Sequence, residues 1–276
     1  MRLPTWAEPL LAEAGIGPVS GAERLGGGDV GEVFRIRGGG SDLVLKGLAR
    51  GAPGAMFLRE AAGLRALAAA GVRVPKVLAS GPEGLLMTYL APGASDPEAL
   101  GRMVAHLHAH RPTPERYGWP TSTFLGPVEL PRAEGSWPSV FREGRLGPLL
   151  RATWGALGDR GPRIEAWAST VELPQEGAAL LHGDLWSGNA LATVEGPALI
   201  DPGVYWGERA VDLSMMELFG GFGGRCRAAY EEALPVPAPV RAVIPGYQLI
   251  YVLVHVHLFG AGYLSAVDRC LEALHA

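Results

Sequence analysis

The sequence predicts an α+β protein of two lobes: a small antiparallel-sheet lobe over residues 1–90 and a larger, mostly helical lobe over 91–276. Three observations carry that expectation. Strand-like runs separated by glycine turns fill the first 90 residues, the break Ala91-Pro92-Gly93 follows them, and helical apolar periodicity dominates what comes after.

Taken in order, residues 4–14 read as a short amphipathic helix. "RLGGGDVGEVFRIRGGGSDLVLKGL" then gives a glycine loop, a strand over 32–37, a glycine turn and a strand over 42–48. In "MFLREAAGLRALAAAG", Phe57, Leu58, Ala61, Leu64 and Leu67 share one side of a helix that Gly71 stops. "VPKVLASGPEGLLMTYLAPG" is a second strand pair with its turn at Gly81 to Gly84. Past a hinge at 88–93, Ser95 with Glu98 three residues later makes a capping box, and Leu100, Met103, Val104 and Leu107 form the buried stripe of the helix it opens. Residues 111–140, rich in proline, glycine and aromatics, read as an ordered loop. Further helices are expected over 139–152, 160–171, 208–219, 223–233 and 240–274, and a hairpin with strands 190–194 and 198–200 is expected to turn at Glu195-Gly196-Pro197.

Composition narrows the classes of function. A formal net charge of −4 gives no electrostatic reason to expect nucleic acid or an anionic membrane as partner. Cys226 and Cys270 are the only cysteines, match no metal or redox spacing, and as unpaired thiols point to a reducing, cytoplasmic compartment. The N-terminal "MRLPTWAEPLLAEAG" carries acids and prolines where a signal peptide needs an apolar core. From Ala242 to Val267 there is no acidic or basic residue except histidine. Pro245, Gln248, His255, His257 and three glycines interrupt that run, so a buried helix pair is expected there rather than a membrane span. Of the 24 basic residues only Lys46 and Lys76 are lysines, which makes each retained lysine informative.

"GGGDVGEV" fits G-x-G-x-x-G-x-V through Gly26, Gly28, Gly31 and Val33. The spacing alone also suits a dinucleotide loop, but that loop needs a strand before it and a helix after it. Here a strand, a GGGS turn and a second strand follow, the context of a glycine-rich flap over nucleotide phosphates. "LVLK" ends the second strand on Lys46, and fourteen residues later Glu60 lies in the helix. A strand lysine steadied by a helix glutamate is how nucleotide kinases of this architecture hold the α- and β-phosphates of ATP. "LLMTYL" takes the place of the segment that meets adenine, with the Thr88 C=O and the Leu90 N–H as its pairing groups and Met87 at the rear of the pocket.

"LLHGDLWSGNALATVEGPALIDPG" carries the chemistry. Asp184 and Asn189 have the spacing of an H-R-D-x-x-x-x-N catalytic loop, with Gly183 in place of arginine. Asp184 is then the general base for an acceptor hydroxyl, and Asn189 and Asp201 are oxygen ligands for Mg²⁺. The hairpin between them would return the chain so that Asp201 lies beside Asn189. His182 is expected to brace the loop by hydrogen bonds. His106, His108 and His110 alternate every two residues and cannot share one helical face, so they are not read as metal ligands.

At "HGDLWSGN" and "DPGVYWGERAVDLSMMELFGGF" the chain closely resembles the fructosamine kinase (ketosamine 3-kinase) family, of the bilobal protein-kinase-like fold shared with aminoglycoside phosphotransferases and choline kinases. Trp186-Ser187-Gly188, Tyr205-x-Gly207 and Asp212-Leu213 carry the resemblance, and "WPSVFREGRLGPLL" and "YQLIYVLVHVHLFGAGY" extend it over about residues 20–270. The resemblance implies ATP- and Mg²⁺-dependent phosphorylation of a sugar-derived ketoamine, on a small-molecule amine or a glycated protein lysine; the chain is expected as a monomer or a homodimer, between which the sequence does not choose. It implies Lys46 and Glu60 for the phosphates, Asp184 as base, and Asn189 and Asp201 for Mg²⁺. Trp186 and Trp206 are candidates to line the sugar side, packing being the alternative for each, and Asp212 is expected to brace the catalytic loop. The loop "GGGDVGEVF" departs from the family's usual one. An aminoglycoside-type phosphotransferase is the alternative function and would be expected to show an acidic substrate pocket. A non-catalytic nucleotide-binding module would not require the intact set of Lys46, Asp184, Asn189 and Asp201.

Overall fold

A computed structural model describes residues 3–26, 31–48 and 54–274. The chain divides into two compact units, one of Met1–Asp96 with Asn189–Gly203, the other of Pro97–Gly188 with Val204–Ala276.

In the first unit, β1 (Gly21–Leu25), β2 (Gly31–Gly38), β3 (Ser41–Leu48), β4 (Val77–Gly81) and β5 (Gly84–Thr88) form one antiparallel sheet in the order β1-β2-β3-β5-β4. Strand alternation sorts its two faces. Phe34 and Ile36 of β2 and Leu43 and Leu45 of β3 point one way and are buried with Ala7 and Leu10 of helix α1 (Ala7–Glu13). Helix α2 (Met56–Ala69) buries Phe57, Ala61, Leu64 and Leu67, as their apolar spacing predicts, but Leu58, expected on the same side, is 40% exposed because it lies about 100° around the helix from Phe57. It stops where Gly71 takes a φ of +81° and the Val72 N–H reaches back to the Leu67 carbonyl, a Schellman closure that only glycine adopts without strain. The burial of each Phe or Leu side chain contributes about 1.5–3 kcal/mol.

The hairpin Ala190–Thr193 with Gly196–Leu199 belongs to this unit, which a division of the chain at residue 90 does not express. Backbone bonds hold it there: Gly93 N–H to Ala192 O, Val194 N–H to Ala91 O, and Leu199 N–H to Arg73 O. Its turn is also tighter than expected. Thr193 pairs with Gly196, so only Val194 and Glu195 turn, and Gly196 at φ +108° is inside the strand. The Thr193 hydroxyl donates to the Gly196 carbonyl and accepts from the Glu195 N–H, which fixes the shorter loop.

The second unit is mostly helical, with α3 (Pro97–Ala109) and helices Gly147–Leu157, Arg160–Thr170, Ala210–Leu218, Gly224–Ala233, Ile244–Phe259 and Leu264–Ala273. The apolar run Ala238–Ala273 is long and apolar enough to cross a membrane by length and composition. In the structure it is broken into separate helices. Ile244–Phe259 buries ten residues, among them Tyr247, Leu249, Ile250, Tyr251, Leu253 and Val256, the pattern of a core helix apolar on all sides. Residues 111–140 are richer in structure than an ordered loop. They hold the strands Tyr117–Trp119, Thr123–Leu125, Val128–Leu130 and Ala133–Gly135, the first and last in a four-stranded sheet with Ala179–Leu181 and Tyr205–Gly207. The helix expected over 139–152 begins at Trp137 and passes through a π-helical segment, Val140–Leu146, before continuing as Gly147–Leu157.

Candidate active site

Sheet register decides which side chains of the first unit meet. Val33 lies opposite Lys46 and Val44 opposite Met87, so Val33, Lys46 and Met87 share the face away from Phe34, Ile36, Leu43 and Leu45. Gly26 follows β1 and Gly31 opens β2, whereas Gly28 lies outside the described residues. The pairing of β5 ends at Thr88, whose N–H donates to the Lys76 carbonyl, and Leu90 is half-buried just beyond it.

Lys46 is the centre of this face. Its ammonium donates to both carboxylate oxygens of Glu60, at 3.0 and 2.9 Å, and to Asp201 Oδ1 at 2.8 Å. These bonds use all three N–H donors of a lysine. Burial opposes the charge on Lys46, but Asp201 and Glu60 outweigh it and hold the lysine pKa above its ordinary value. Burial pushes the Glu60 carboxyl up to about 7, against the pull of Lys46 and with the negative charge of Asp201 adding to the rise.

Asp201 reaches Lys46 because of the hairpin. Ala190 pairs with Leu199 and the Ile200 N–H donates to the Asn189 carbonyl at 3.0 Å, so the chain leaves the hairpin beside Asn189. Asp201 then takes a φ of +55°, in the left-handed region that aspartate tolerates better than most residues. Asn189 is buried. The donor set suits Mg²⁺, a hard cation that takes one or two carboxylates and completes its shell with phosphate oxygens and water. Lys46 and Glu60 are largely buried, whereas the Asp201 side chain keeps 36% of its surface exposed.

In the second unit the loop that carries Asp184 follows strand Ala179–Leu181, which pairs with Tyr205–Gly207. The buried carboxylate of Asp212 accepts the His182 N–H at 2.7 Å and the Gly183 N–H at 2.9 Å. It also meets His108 Nε2 at 3.1 Å, and His108 Nδ1 meets the Tyr230 hydroxyl at 2.9 Å. Asp212 thus braces the loop. His182 is fully buried, and its Nδ1 accepts the Asp184 N–H at 3.3 Å. The Tyr251 hydroxyl, whose pKa burial raises well above the ordinary value, stays protonated and donates to the Gly183 carbonyl at 3.1 Å. Asp184 is half-buried at the end of this braced turn.

The two tryptophans differ. Trp186 is 43% exposed, and its ring lies so close over Gly188 that a Cβ there would sit 2.1 Å from it, which accounts for the glycine two residues on. Trp206 is buried against Trp119 and stacks on His110, ring centroids 6.3 and 5.8 Å away, as a packing residue does. Sequence reasoning missed Tyr251 and also Arg145. Arg145 is buried, donates to Thr123 Oγ1 and stacks 3.9 Å over the Tyr205 ring. A Tyr in a mostly apolar helix and an Arg eight residues after Trp137 were the available signals. Among the described residues no group of three or more His, Cys, Asp or Glu forms a metal cluster, and His108 is held by Asp212 and Tyr230 instead.

The profile of the fructosamine kinase family matches residues 9–276. A protein of Thermus thermophilus named probable ketoamine kinase is 46% identical over 265 residues, covering 96% of this chain and 98% of its own. One of Escherichia coli K12 with the same name is 32% identical, covering 97% of each. The crystal structure of a Thermobifida fusca protein assigned as a fructosamine-3-kinase is 32% identical, with a TM-score of 0.89 and full coverage of both chains. An aminoglycoside phosphotransferase solved with ADP and hygromycin B matches at a TM-score of 0.64 and 14% identity over 96% of this chain and 97% of its own, a likeness of fold. The fold is therefore protein-kinase-like, the Lys46–Glu60–Asp201 cluster and the braced Asp184 loop lie within the matched region, and the chain belongs to the fructosamine kinase family, a phosphotransferase.

Proposed function

We propose that the chain transfers the γ-phosphoryl group of ATP to a hydroxyl of the sugar part of a ketoamine. The observation that carries the reading is the Lys46 ammonium held at once by Glu60 and Asp201, in a chain of this family. Lys46, steadied by Glu60, binds the α- and β-phosphates. Asn189 and Asp201 hold Mg²⁺, which neutralises charge on the transferring group when bound. Val33 and Met87 line the adenine side with Thr88 and Leu90, and Gly26 and Gly31 lie on the phosphate side. Asp184 orients the acceptor hydroxyl and takes its proton as the oxygen bonds to phosphorus and the bond to the β–γ bridging oxygen breaks, releasing ADP. Trp186 lies against the sugar.

Phosphorylation makes the adduct labile, so the role is deglycation of small-molecule amines or of glycated protein lysines in the cytoplasm. The test is product analysis. Ketoamines of fructose, ribulose and erythrulose with lysine are incubated with ATP and Mg²⁺, and acceptor and nucleotide are followed by mass spectrometry and ³¹P NMR. One phosphoryl group gained on the sugar for each ADP formed supports the reading. ADP formed without a phosphorylated ketoamine refutes it.

A further inference from the structure

The second unit carries an exposed aromatic surface that this reaction, as described, does not use. Phe219 and Phe259 are 42% and 57% exposed, unusual for large apolar side chains that lie together. The His255 ring joins them, its centroid 4.8 Å from Phe219, 5.7 Å from Phe259 and 4.9 Å from Tyr263, and Phe259 and Tyr263 are 5.8 Å apart. The segments are shaped to build it. Helix Ile244–Phe259 ends at Gly260, whose φ of +78° turns the chain into Gly260–Tyr263 so that Tyr263 meets His255.

Two contacts tie this surface to the loop that carries Asp184. Tyr251, one helical turn before His255, donates its hydroxyl to the carbonyl of Gly183, the residue before Asp184. After Phe219, Gly220 and Gly221 both take positive φ, and Gly221 packs so closely on Ser187 that a Cβ would lie 2.3 Å from its Oγ. Gly183 and Ser187 of the loop are thus each held by a residue that lies within a few positions of this surface in the chain.

Its chemistry selects an occupant. His255 Nδ1 lies 2.8 Å from the Tyr251 carbonyl, which can only accept, so Nδ1 is the donor of this contact. Neither "FGGFGG" (219–224) nor "VLVHVHLFGAGY" (252–263) contains an acid or a lysine or arginine. Aromatic faces attract a cation of low charge density, best when methylenes flank it. A polycationic acceptor would call for carboxylates. We propose that Phe219, His255, Phe259 and Tyr263 form the subsite for the amine end of the acceptor: a single secondary ammonium with its aliphatic carrier. This deepens the ketoamine reading and rests on it.

The experiment compares acceptors that share one ketose: the ketoamine of free lysine, the ketoamine on a lysine within a peptide, and a neutral analogue joined through an ether oxygen. Wild type, Phe259→Leu, Phe219→Leu and Trp154→Leu are assayed; Trp154, 43% exposed on helix Gly147–Leu157, is the control. Removing one ring face while keeping apolar bulk should raise KM for the cationic acceptors about 5-fold or more, with kcat and the KM of ATP little changed. The ether analogue and the control variant should not respond. An effect confined to the free or to the peptide-borne ketoamine supports the subsite and assigns its source. Equal loss on the cationic and neutral acceptors, or no loss on either, overturns it while the ketoamine reaction stands. If wild type phosphorylates no ketoamine, both fall.

Discussion

Lys46 Nζ donates to Asp201 Oδ1 at 2.8 Å although 155 residues separate them in the chain, and the same ammonium spans both oxygens of Glu60. The strand face presents the lysine, the helix supplies one acid, and the Ala190–Leu199 hairpin returns the other.

The first prediction concerns shape at this point. A lysine ammonium is compact and fits among three carboxylate oxygens, whereas a guanidinium is a wide planar fork. Lys46→Arg should therefore lose about 10²-fold in kcat although the charge is kept, because a misplacement near 1 Å costs about that much. Lys46→Met should fall with it, and Lys76→Arg, at an exposed position in a chain with only two lysines, should stay near wild type. Steady-state kcat and ATP KM decide it. Substantial activity in Lys46→Arg would show that the lysine's shape is irrelevant here.

Asp184→Asn keeps the size of the side chain and removes the base. Transfer should fall by roughly 10²–10⁴-fold, while binding of Mg-nucleotide, followed by calorimetric titration, stays largely intact. Near-normal turnover on the true acceptor would remove Asp184 from its role.

Asp212→Ala strips the acceptor from the His182 and Gly183 N–H groups and from His108, all within a buried network. Each buried donor left without a partner costs about 1–3 kcal/mol, so denaturant unfolding should show a loss of at least about 3 kcal/mol. Activity should also drop, because the turn that carries Asp184 loosens. A variant as stable as wild type would mean the loop is held by something else.

Glu208 gives a pH signature. It is buried and accepts the Tyr117 hydroxyl and the Glu176 N–H. Burial raises its pKa above the ordinary 4.5, outweighing these hydrogen bonds. The folded chain then keeps this proton to higher pH than the unfolded chain does. The stability from protonated Glu208 is full below the unfolded pKa and is lost as pH rises through the folded one. Glu208→Gln keeps an acceptor without the charge. Its melting temperature relative to wild type should improve as pH rises from 4.5 towards neutrality. Parallel pH profiles would count against a raised Glu208.

Much of this architecture was legible in the sequence, and the exceptions have physical causes. Lys46, Glu60 and the two-strand context were readable because β2 and β3 alternate over eight residues each and Gly71 marks the helix end. The strands within 111–140 were not readable, since three residues hold too little period to separate a strand from a loop. β1 escaped because Glu23 and Arg24 are exposed and blur its alternation. Spacing singles out Asp184, Asn189 and Asp201 as candidates, but the grip of Lys46 on Asp201 depends on a hairpin register that no spacing encodes. Trp206 shows the same limit: burial against Trp119 and His110 separates it from Trp186, and both are tryptophans beside a motif in the sequence. The aromatic surface around His255 joins Phe219 to residues more than thirty positions later, so only the fold assembles it.

The central claim is that the acceptor is a ketoamine, and one comparison tests it most directly: kcat/KM of the wild-type chain, with ATP and Mg²⁺, for a lysine-borne ketoamine and for a kanamycin-type aminoglycoside. The account predicts that the ketoamine is phosphorylated far more efficiently. A higher kcat/KM for the aminoglycoside would contradict it and make this chain an aminoglycoside-type phosphotransferase on the same fold.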